Sequence, residues 1–100
     1  MPLVTIVGDV FSSRVAGSLL RTLGLPDLIC TSQSEYESRI LELARDKDQL
    51  AAIRARLNAA REVSGVFDGS RFARKIEEAY ATMWNIHRSG ESPRSFAVQV

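Results

Sequence analysis

Cysteine and histidine are scarce in this sequence, which has one residue of each among 100. Cys30 alone cannot close an internal disulfide, and His87 alone cannot supply the Cys and His cluster of a common metal site. The sequence therefore predicts a chain that holds no metal and resides in a reducing, cytoplasmic compartment.

Strong net charge and long apolar runs are missing too. Thirteen Lys and Arg residues face twelve Asp and Glu residues, and the resulting charge of +1 is too small to attract a phosphate backbone. No stretch reaches the ~20 apolar residues of a membrane span, and residues 1–5 lack the features of a signal peptide. We therefore expect neither nucleic acid nor a membrane as a partner.

The length and the ordinary composition are those of one small globular domain. Chains of this size bury roughly 60–65% of their extended surface, so a large substrate cleft would have to be shared with other segments. The sequence also opens directly on strand-forming residues. We therefore expect a segment cut from a longer polypeptide rather than a complete enzyme.

A strand, a helix and a second strand are predicted in the first third of the chain. Residues 3–7 are apolar on both faces, which is typical of a strand covered on both sides, and residues 28–30 form a second short run that should pair with it in parallel. Between them, apolar residues recur every four positions, which predicts a helix that Ser12 or Asp9 caps. The helical stripe consists of Phe11, Val15, Leu19 and Leu23, with Ala16 and Leu20 alongside.

Three helices are predicted after the second strand. A capping-box pattern at residues 32–35 opens the first, residues 46–48 separate it from the second, and the third extends from about residue 70 to 88. The fold class is therefore α/β and helix-rich: a partial Rossmann-like unit with two short parallel strands, followed by three helices. Because two strands are too few for a stable sheet face, we expect the unit to dock on strands that precede it in the parent protein.

The turn between the first strand and its helix, residues 8–14, is the most informative segment for function. In open α/β sheets, ligands bind beyond the carboxyl ends of the strands, where helix N-termini attract phosphates. Gly8 would let a ligand approach the backbone, Ser12 and Ser13 offer hydroxyls, and Arg14 offers a guanidinium. The same residues also fit an ordinary turn with a capped helix, because neither a GxGxxG pattern nor a P-loop is present.

No catalytic residue is assigned to the chain. A Ser-His-Asp set can be drawn from Ser12 or Ser13 with His87 and Asp9, but no GxSxG motif supports it. Cys30 lies on a strand, where buried thiols behave as small apolar side chains.

The charged residues of the second of the three helices have a simpler interpretation. Arg54, Arg56 and Arg61 lie off its apolar stripe, so a solvated face is expected. A basic surface for an acidic partner is the alternative.

The ordered set of segments resembles the end of the donor domain in the O-linked N-acetylglucosamine transferase family, especially the bacterial forms that carry tetratricopeptide repeats ahead of the catalytic region. The match extends over nearly the whole chain, and its specificity comes from the order of the segments. They are PLVTIVG (2–8), SRVAGSLL (13–20), GLPDLI (24–29), SEYE (34–37), LARD (43–46), Leu50, IR (53–54), FD (67–68), RFA (71–73), Glu77, AY (79–80) and MW (83–84).

The resemblance implies an enzyme of the GT-B type, with two Rossmann-like domains and a cleft between them. Such enzymes bind a UDP-sugar chiefly in the second domain and transfer N-acetylglucosamine to Ser or Thr of acceptor proteins, with no required metal or cofactor. Residues 1–100 would be the C-terminal part of the UDP-sugar donor domain. In the family, a His-Thr-Thr type stretch that contacts the diphosphate precedes the strand that begins here at Leu3. Because this stretch and the first domain are absent, we expect an active parent protein and an inactive fragment.

Site residues and one domain contact are implied as well. The turn corresponds to a region that lines the donor pocket in related two-domain transferases, so Gly8, Asp9, Ser13 and Arg14 are the donor contacts to test. The family often has a different residue at the position of Asp9. The last helix would pack on the first Rossmann-like domain of the parent chain. The alternative to an enzyme fragment is a non-catalytic helical module that binds a protein partner.

Overall fold

The structure is a computed structural model that describes residues 1–99; Val100, the last residue of the predicted domain, lies outside them. Two compact units are present, of which the first contains residues 1–67 and the second begins at Asp68. The elements of the first unit are β1 (Thr5–Ile6), α1 (Val15–Thr22), β2 (Ile29–Cys30), α2 (Gln33–Arg45) and α3 (Lys47–Val63), and that of the second is α4 (Gly69–Arg88). The predicted class, two short strands with three helices after them, is confirmed.

The strands β1 and β2 pair in parallel, with Thr5 opposite Ile29 and Ile6 opposite Cys30. The sheet is shorter than the predicted strands, since only two residues of each strand pair. The prediction that residues 3–7 are covered on both faces is wrong for this chain, because Leu3 is 53% and Ile6 37% exposed. A sheet of only two strands has no further strands beside it and little surface on which other elements can pack. Residues 1–99 alone therefore leave these side chains exposed.

The start of α1 differs from the prediction that Ser12 or Asp9 caps it. A short 3-10 helix, Phe11–Ser13, precedes α1, and Arg14 takes the N-cap position without any side-chain cap. The chain therefore makes a tight turn before α1 begins. Because the Ser13 hydroxyl does not cap α1, it can form a hydrogen bond elsewhere in the turn.

The buried face of α1 is narrower than the predicted stripe. Gly17 lies close enough to the sheet that a Cβ there would meet Val7 and Ile29 at ordinary contact distance, and Leu20 enters the core. With this face turned inward, the predicted stripe members Phe11, Val15 and Leu19 are 84%, 41% and 49% exposed. Half of the stripe is thus left outside the core.

Gly24 ends α1 in the left-handed conformation, with φ of 72°. That conformation is costly for residues with a Cβ and is common just after helices. It brings the N–H of Leu25 to within 2.8 Å of the Leu20 carbonyl, so the chain doubles back and buries Leu25 completely.

One hydrophobic core lies in the first unit. It joins α1, the segment before β2, α2 and α3, so the two strands are held mainly by helices. Its buried members are Leu20, Leu25, Leu28, Leu43 and Ile53, with Val4, Leu23, Ile29 and Leu57 partly buried against it.

Polar side chains cap the three later helices. Ser32, Asp46 and Asp68 each accept a hydrogen bond from the backbone N–H three residues further on, at the starts of α2, α3 and α4. These bonds satisfy N–H groups that have no partner inside a helix. The predicted helix boundaries near residues 32, 46 and 70 are therefore confirmed.

The helix α4 is amphipathic, and much of its apolar side is exposed. Its exposed large side chains are Phe72, Ile76, Tyr80, Met83 and Trp84. No helix within residues 1–99 is both long and apolar enough to cross a membrane.

Candidate functional site

The turn of residues 8–14 leaves the carboxyl end of β1 and leads into α1. Gly8 and Ser13 are partly buried in it, while Asp9, Val10 and Phe11 are exposed. An open concave surface borders the turn on the side of β2, where Val7, Phe11, Arg14, Ser18 and Ile29 are among the lining residues. Of the four predicted site residues, Arg14 alone is among those that line this surface, which continues along α1 as far as Thr22.

Arg14 and Ser13 bond to the backbone of their own turn. The Arg14 Nη1 donates to the Gly8 carbonyl oxygen at 3.0 Å, and the Ser13 hydroxyl donates to the Val10 carbonyl oxygen at 2.8 Å. The Val10 carbonyl also accepts the backbone N–H of Ser13 at 3.1 Å, so the Ser13 hydroxyl adds a second bond to it, while the Arg14 side chain gives the Gly8 carbonyl a partner within the turn. Three of the four predicted site residues are thus brought together, in contact with each other.

Gly8 has a steric reason to lack a side chain. A Cβ built there would lie 2.7 Å from the Ser13 Oγ and 3.2 Å from the Ser13 Cβ. The first distance is shorter than real Cβ contacts allow, so any larger residue would displace Ser13 or the turn itself. The backbone φ of Gly8 is not positive, and close approach alone accounts for the glycine.

Asp9 is the fourth predicted site residue, and it is exposed. Within residues 1–99 its carboxylate takes part in no hydrogen bond or ion pair. It therefore remains available to an incoming ligand, whereas Ser13 and Arg14 each bond to a carbonyl of the turn.

The nucleophile alternatives gain no support from the structure. The Ser13 hydroxyl proton goes to a carbonyl oxygen rather than to a base. Burial raises the pKa of the Cys30 thiol, which disfavours its reactive thiolate form. In α4, the His87 ring lies against Trp84 with 5.6 Å between ring centroids. Within the described part of the chain, no three His, Cys, Asp or Glu residues are grouped as a metal site would require.

A second polar cluster centres on Asp27, and sequence reasoning missed it. Arg56 of α3 contacts both oxygens of the Asp27 carboxylate, at 3.0 and 2.9 Å, and donates to the Gly24 carbonyl at 2.8 Å. Arg39 of α2 donates to the Asp27 carbonyl at 3.1 Å and approaches its carboxylate at 3.3 Å. Arg56 is 48% exposed, as expected of a solvated face, but it also pairs with Asp27, which the sequence pattern did not indicate.

The cluster has an electrostatic signature and a structural role. Hydrogen bonds from the Arg56 guanidinium hold the pKa of the Asp27 carboxyl below its ordinary value. Because the two arginines come from different helices, Asp27 fastens the segment between α1 and β2 onto α2 and α3. No spacing rule marks this set, since its members are 12 and 29 residues away from Asp27 in sequence.

Comparison with known proteins places this geometry in a family context. The family model for glycosyl transferase family 41 matches residues 1–76. The chain is 37% identical over 99 residues to the probable UDP-N-acetylglucosamine–peptide N-acetylglucosaminyltransferase SEC of Arabidopsis thaliana, covering 98% of this chain and 10% of that protein.

Further relatives match at similar identity and over a similarly small share of their own length. The probable UDP-N-acetylglucosamine–peptide N-acetylglucosaminyltransferase SPINDLY of rice is 39% identical over 93 residues, which are 93% of this chain and 10% of that protein. The UDP-N-acetylglucosamine–peptide N-acetylglucosaminyltransferase of Caenorhabditis elegans is 37% identical, over 89% of this chain and 8% of that protein. The chain thus spans about a tenth of the length of these relatives. No solved structure matches it.

Proposed function

The chain belongs to glycosyl transferase family 41, and we propose that it forms the C-terminal part of the UDP-sugar donor domain of a protein O-glycosyltransferase. The parent enzyme transfers N-acetylglucosamine from UDP to Ser or Thr of acceptor proteins. This chain supplies one wall of the donor pocket and does not turn over by itself. The family match over residues 1–76 carries the proposal, because it includes both strands, the turn and the core.

The names of the relatives support the choice of substrates. Each names UDP-N-acetylglucosamine as the donor and a peptide as the acceptor. The wider parts of the proposal are a GT-B architecture with two Rossmann-like domains, tetratricopeptide repeats ahead of them, and a cytoplasmic location. The parallel βαβ order supports the first, and the balanced charge and single buried thiol fit the last.

Donor contact in this chain is assigned to the turn, through Gly8, Asp9, Ser13 and Arg14. The turn follows β1 at its carboxyl end and borders a concave surface, as a ligand site in an open α/β sheet does. The remaining contacts to uridine and diphosphate come from segments outside this chain. The last helix packs its apolar side on the first Rossmann-like domain.

Two measurements test whether this chain supplies one wall of the donor pocket while the principal nucleotide contacts lie outside it. In the first, the ¹⁵N-labelled chain is titrated with UDP. We expect no saturable amide shifts at micromolar UDP, because one wall of a pocket cannot compensate the entropy lost on binding. Saturable shifts at micromolar UDP would show that this chain contains the principal nucleotide site, contrary to the proposal.

The second measurement asks whether the chain can replace its counterpart in a working enzyme. In a chimaera of the C. elegans relative, this chain substitutes for the segment it matches, and transfer from UDP-N-acetylglucosamine to an acceptor peptide is assayed. We expect activity within about tenfold of the unaltered relative, since the segment supplies positioning rather than chemistry. A chimaera that folds with an unchanged melting temperature but transfers no sugar would contradict the proposal. The outcome also separates the enzyme fragment from a helical interaction module, which has no reason to support transfer.

A further inference from the structure

Residues Gly8, Ser13 and Arg14 form an interlocked set within the turn. Arg14 reaches back across six residues to the Gly8 carbonyl, and Ser13 fills the space that a side chain at Gly8 would need. Ser13 in turn holds the Val10 carbonyl. Arg14 and Ser13 thus each hold a carbonyl of the turn, and Gly8 leaves the space that Ser13 occupies.

We propose that Arg14, Ser13 and Gly8 act as positioning residues for the donor pocket: they fix the turn so that Asp9 and the adjoining backbone meet the donor. This assignment rests on the proposed function and revises it at one point, since it removes Arg14 and Ser13 from the residues that touch the UDP-sugar. The observation behind this revision is that the Arg14 Nη1 bonds to the Gly8 carbonyl and the Ser13 hydroxyl to the Val10 carbonyl, so both side chains already hold the turn.

The chemistry of a pocket wall explains why such a set is useful. Ligand groups are recognised well only when the protein groups are held close to the productive geometry, and displacement by about 1 Å can cost up to ~100-fold in rate. After the bond from the Val7 N–H to the Cys30 carbonyl, the backbone bonds of the turn are short-range ones, from the Ser13 N–H to the Val10 carbonyl and from the Arg14 N–H to the Phe11 carbonyl. These bonds hold residues 10–14, and the Arg14 side chain ties the Gly8 carbonyl to them.

The experiment uses the active chimaera and measures the Michaelis constant for UDP-N-acetylglucosamine first in three single variants. Gly8→Ala places a Cβ against Ser13 and should raise the donor KM by roughly tenfold, with kcat and the acceptor KM changed less than about twofold. Arg14→Ala should give a similar rise, and Arg14→Lys a smaller one, because an ammonium keeps a donor for the Gly8 carbonyl. Merely structural damage would lower the active fraction, and so kcat, and leave the donor KM unchanged.

Two double variants distinguish a shared positioning role from independent contacts with the donor. In Gly8→Ala/Ser13→Ala the contact with the Ser13 Oγ is relieved but the bond to the Val10 carbonyl is lost, so the donor KM should stay within about twofold of that of Gly8→Ala alone. In Gly8→Ala/Arg14→Ala the turn is already displaced, so the two effects should overlap and the KM should exceed the worse single variant by less than about twofold. Independent contacts would instead multiply, to roughly 100-fold.

Controls separate this inference from the function on which it rests. Gly69→Ala adds the same methyl group where no atom lies within 4 Å, and should leave the donor KM unchanged. An inactive chimaera with the native turn would remove the proposed function itself. An active chimaera would overturn only the positioning role if Gly8→Ala had no effect on the donor KM, or if the losses from Gly8→Ala and Arg14→Ala multiplied.

Discussion

At the scale of single residues, Asp27 joins three parts of the first unit. Its carboxylate meets Arg56 through two hydrogen bonds, one to each oxygen, and its own backbone carbonyl accepts from Arg39. Paired bonds between a guanidinium and a carboxylate are stronger and more directional than single contacts between ammonium and carboxylate. The carboxylate is 37% exposed, so water weakens the attraction without removing it.

The stability that Asp27 contributes should depend on pH in a defined direction. Because the Arg56 bond lowers the pKa of Asp27 in the folded state, the contribution is complete above the ordinary carboxyl pKa of about 4 and is lost as the pH falls through the lower, folded value. We expect Asp27→Asn to lower the free energy of unfolding by about 1–2 kcal/mol at pH 7. The difference should shrink as the pH falls below about 4.

Urea unfolding of both proteins at several pH values measures this difference. Glu62→Gln, which neutralises an exposed acid on α3, is the matched control and should change stability by less than about 0.5 kcal/mol. In addition, an NMR titration of the Asp27 carboxyl should show its pKa rising when Arg56 is replaced by Ala. If the difference in unfolding free energy between the unaltered protein and Asp27→Asn increased toward low pH, the assigned role of Arg56 would be ruled out.

At the scale of elements, helix boundaries could be predicted from the sequence better than strands or site contacts. Ser32 and Asp46 lie where local chemistry alone favours a helix start, and the structure has their capping bonds. The length of a strand depends on the strand it pairs with. Only two residues of β2 pair with β1, so β1 is shorter than the apolar run from which it was predicted. The Asp27 cluster and the Arg14 bond depend on how helices pack and turns close, which spacing does not encode.

The junction between α2 and α3 offers a test of capping. Asp46 both follows the last residue of α2 and accepts the Gln49 N–H at 2.9 Å as the first bond of α3. We expect Asp46→Ala to cost about 1 kcal/mol, because that N–H and the positive end of the helix lose their partner.

Asp46→Asn is the matched variant for this junction. An asparagine oxygen accepts the same hydrogen bond, so most of the loss should be recovered. Thermal unfolding followed by circular dichroism measures both. Equal losses in the two variants would mean that charge rather than capping accounts for the effect of Asp46.

At the scale of the whole molecule, the apolar side chains that remain exposed divide by unit. In the first unit they lie on β1 and on the outer side of α1, at Leu3, Ile6 and Leu19. In the second they lie along α4, at Tyr80, Met83 and Trp84 among others. Exposed apolar surfaces of this kind usually meet another part of a protein.

Met83 reports on whether the first Rossmann-like domain covers α4, as the proposed function requires. The side chain is 51% exposed, so hydrogen peroxide should convert it to the sulfoxide readily in this chain alone. In the chimaera we expect oxidation at Met83 to slow by roughly fivefold or more, because burial against the neighbouring domain excludes the oxidant.

Mass spectrometry of the peptide that contains Met83 gives the rate, and the same chimaera unfolded in urea supplies the reference for a fully exposed methionine. Met83→Leu conserves volume and apolar character, so it should remain active and identify the peptide signal unambiguously. If Met83 in the folded, active chimaera is oxidised as fast as in the isolated chain, the first domain does not cover this side of α4. The helix would then present its apolar side to a different partner, and the packing role assigned to it would have to be abandoned even though the transferase assignment stood.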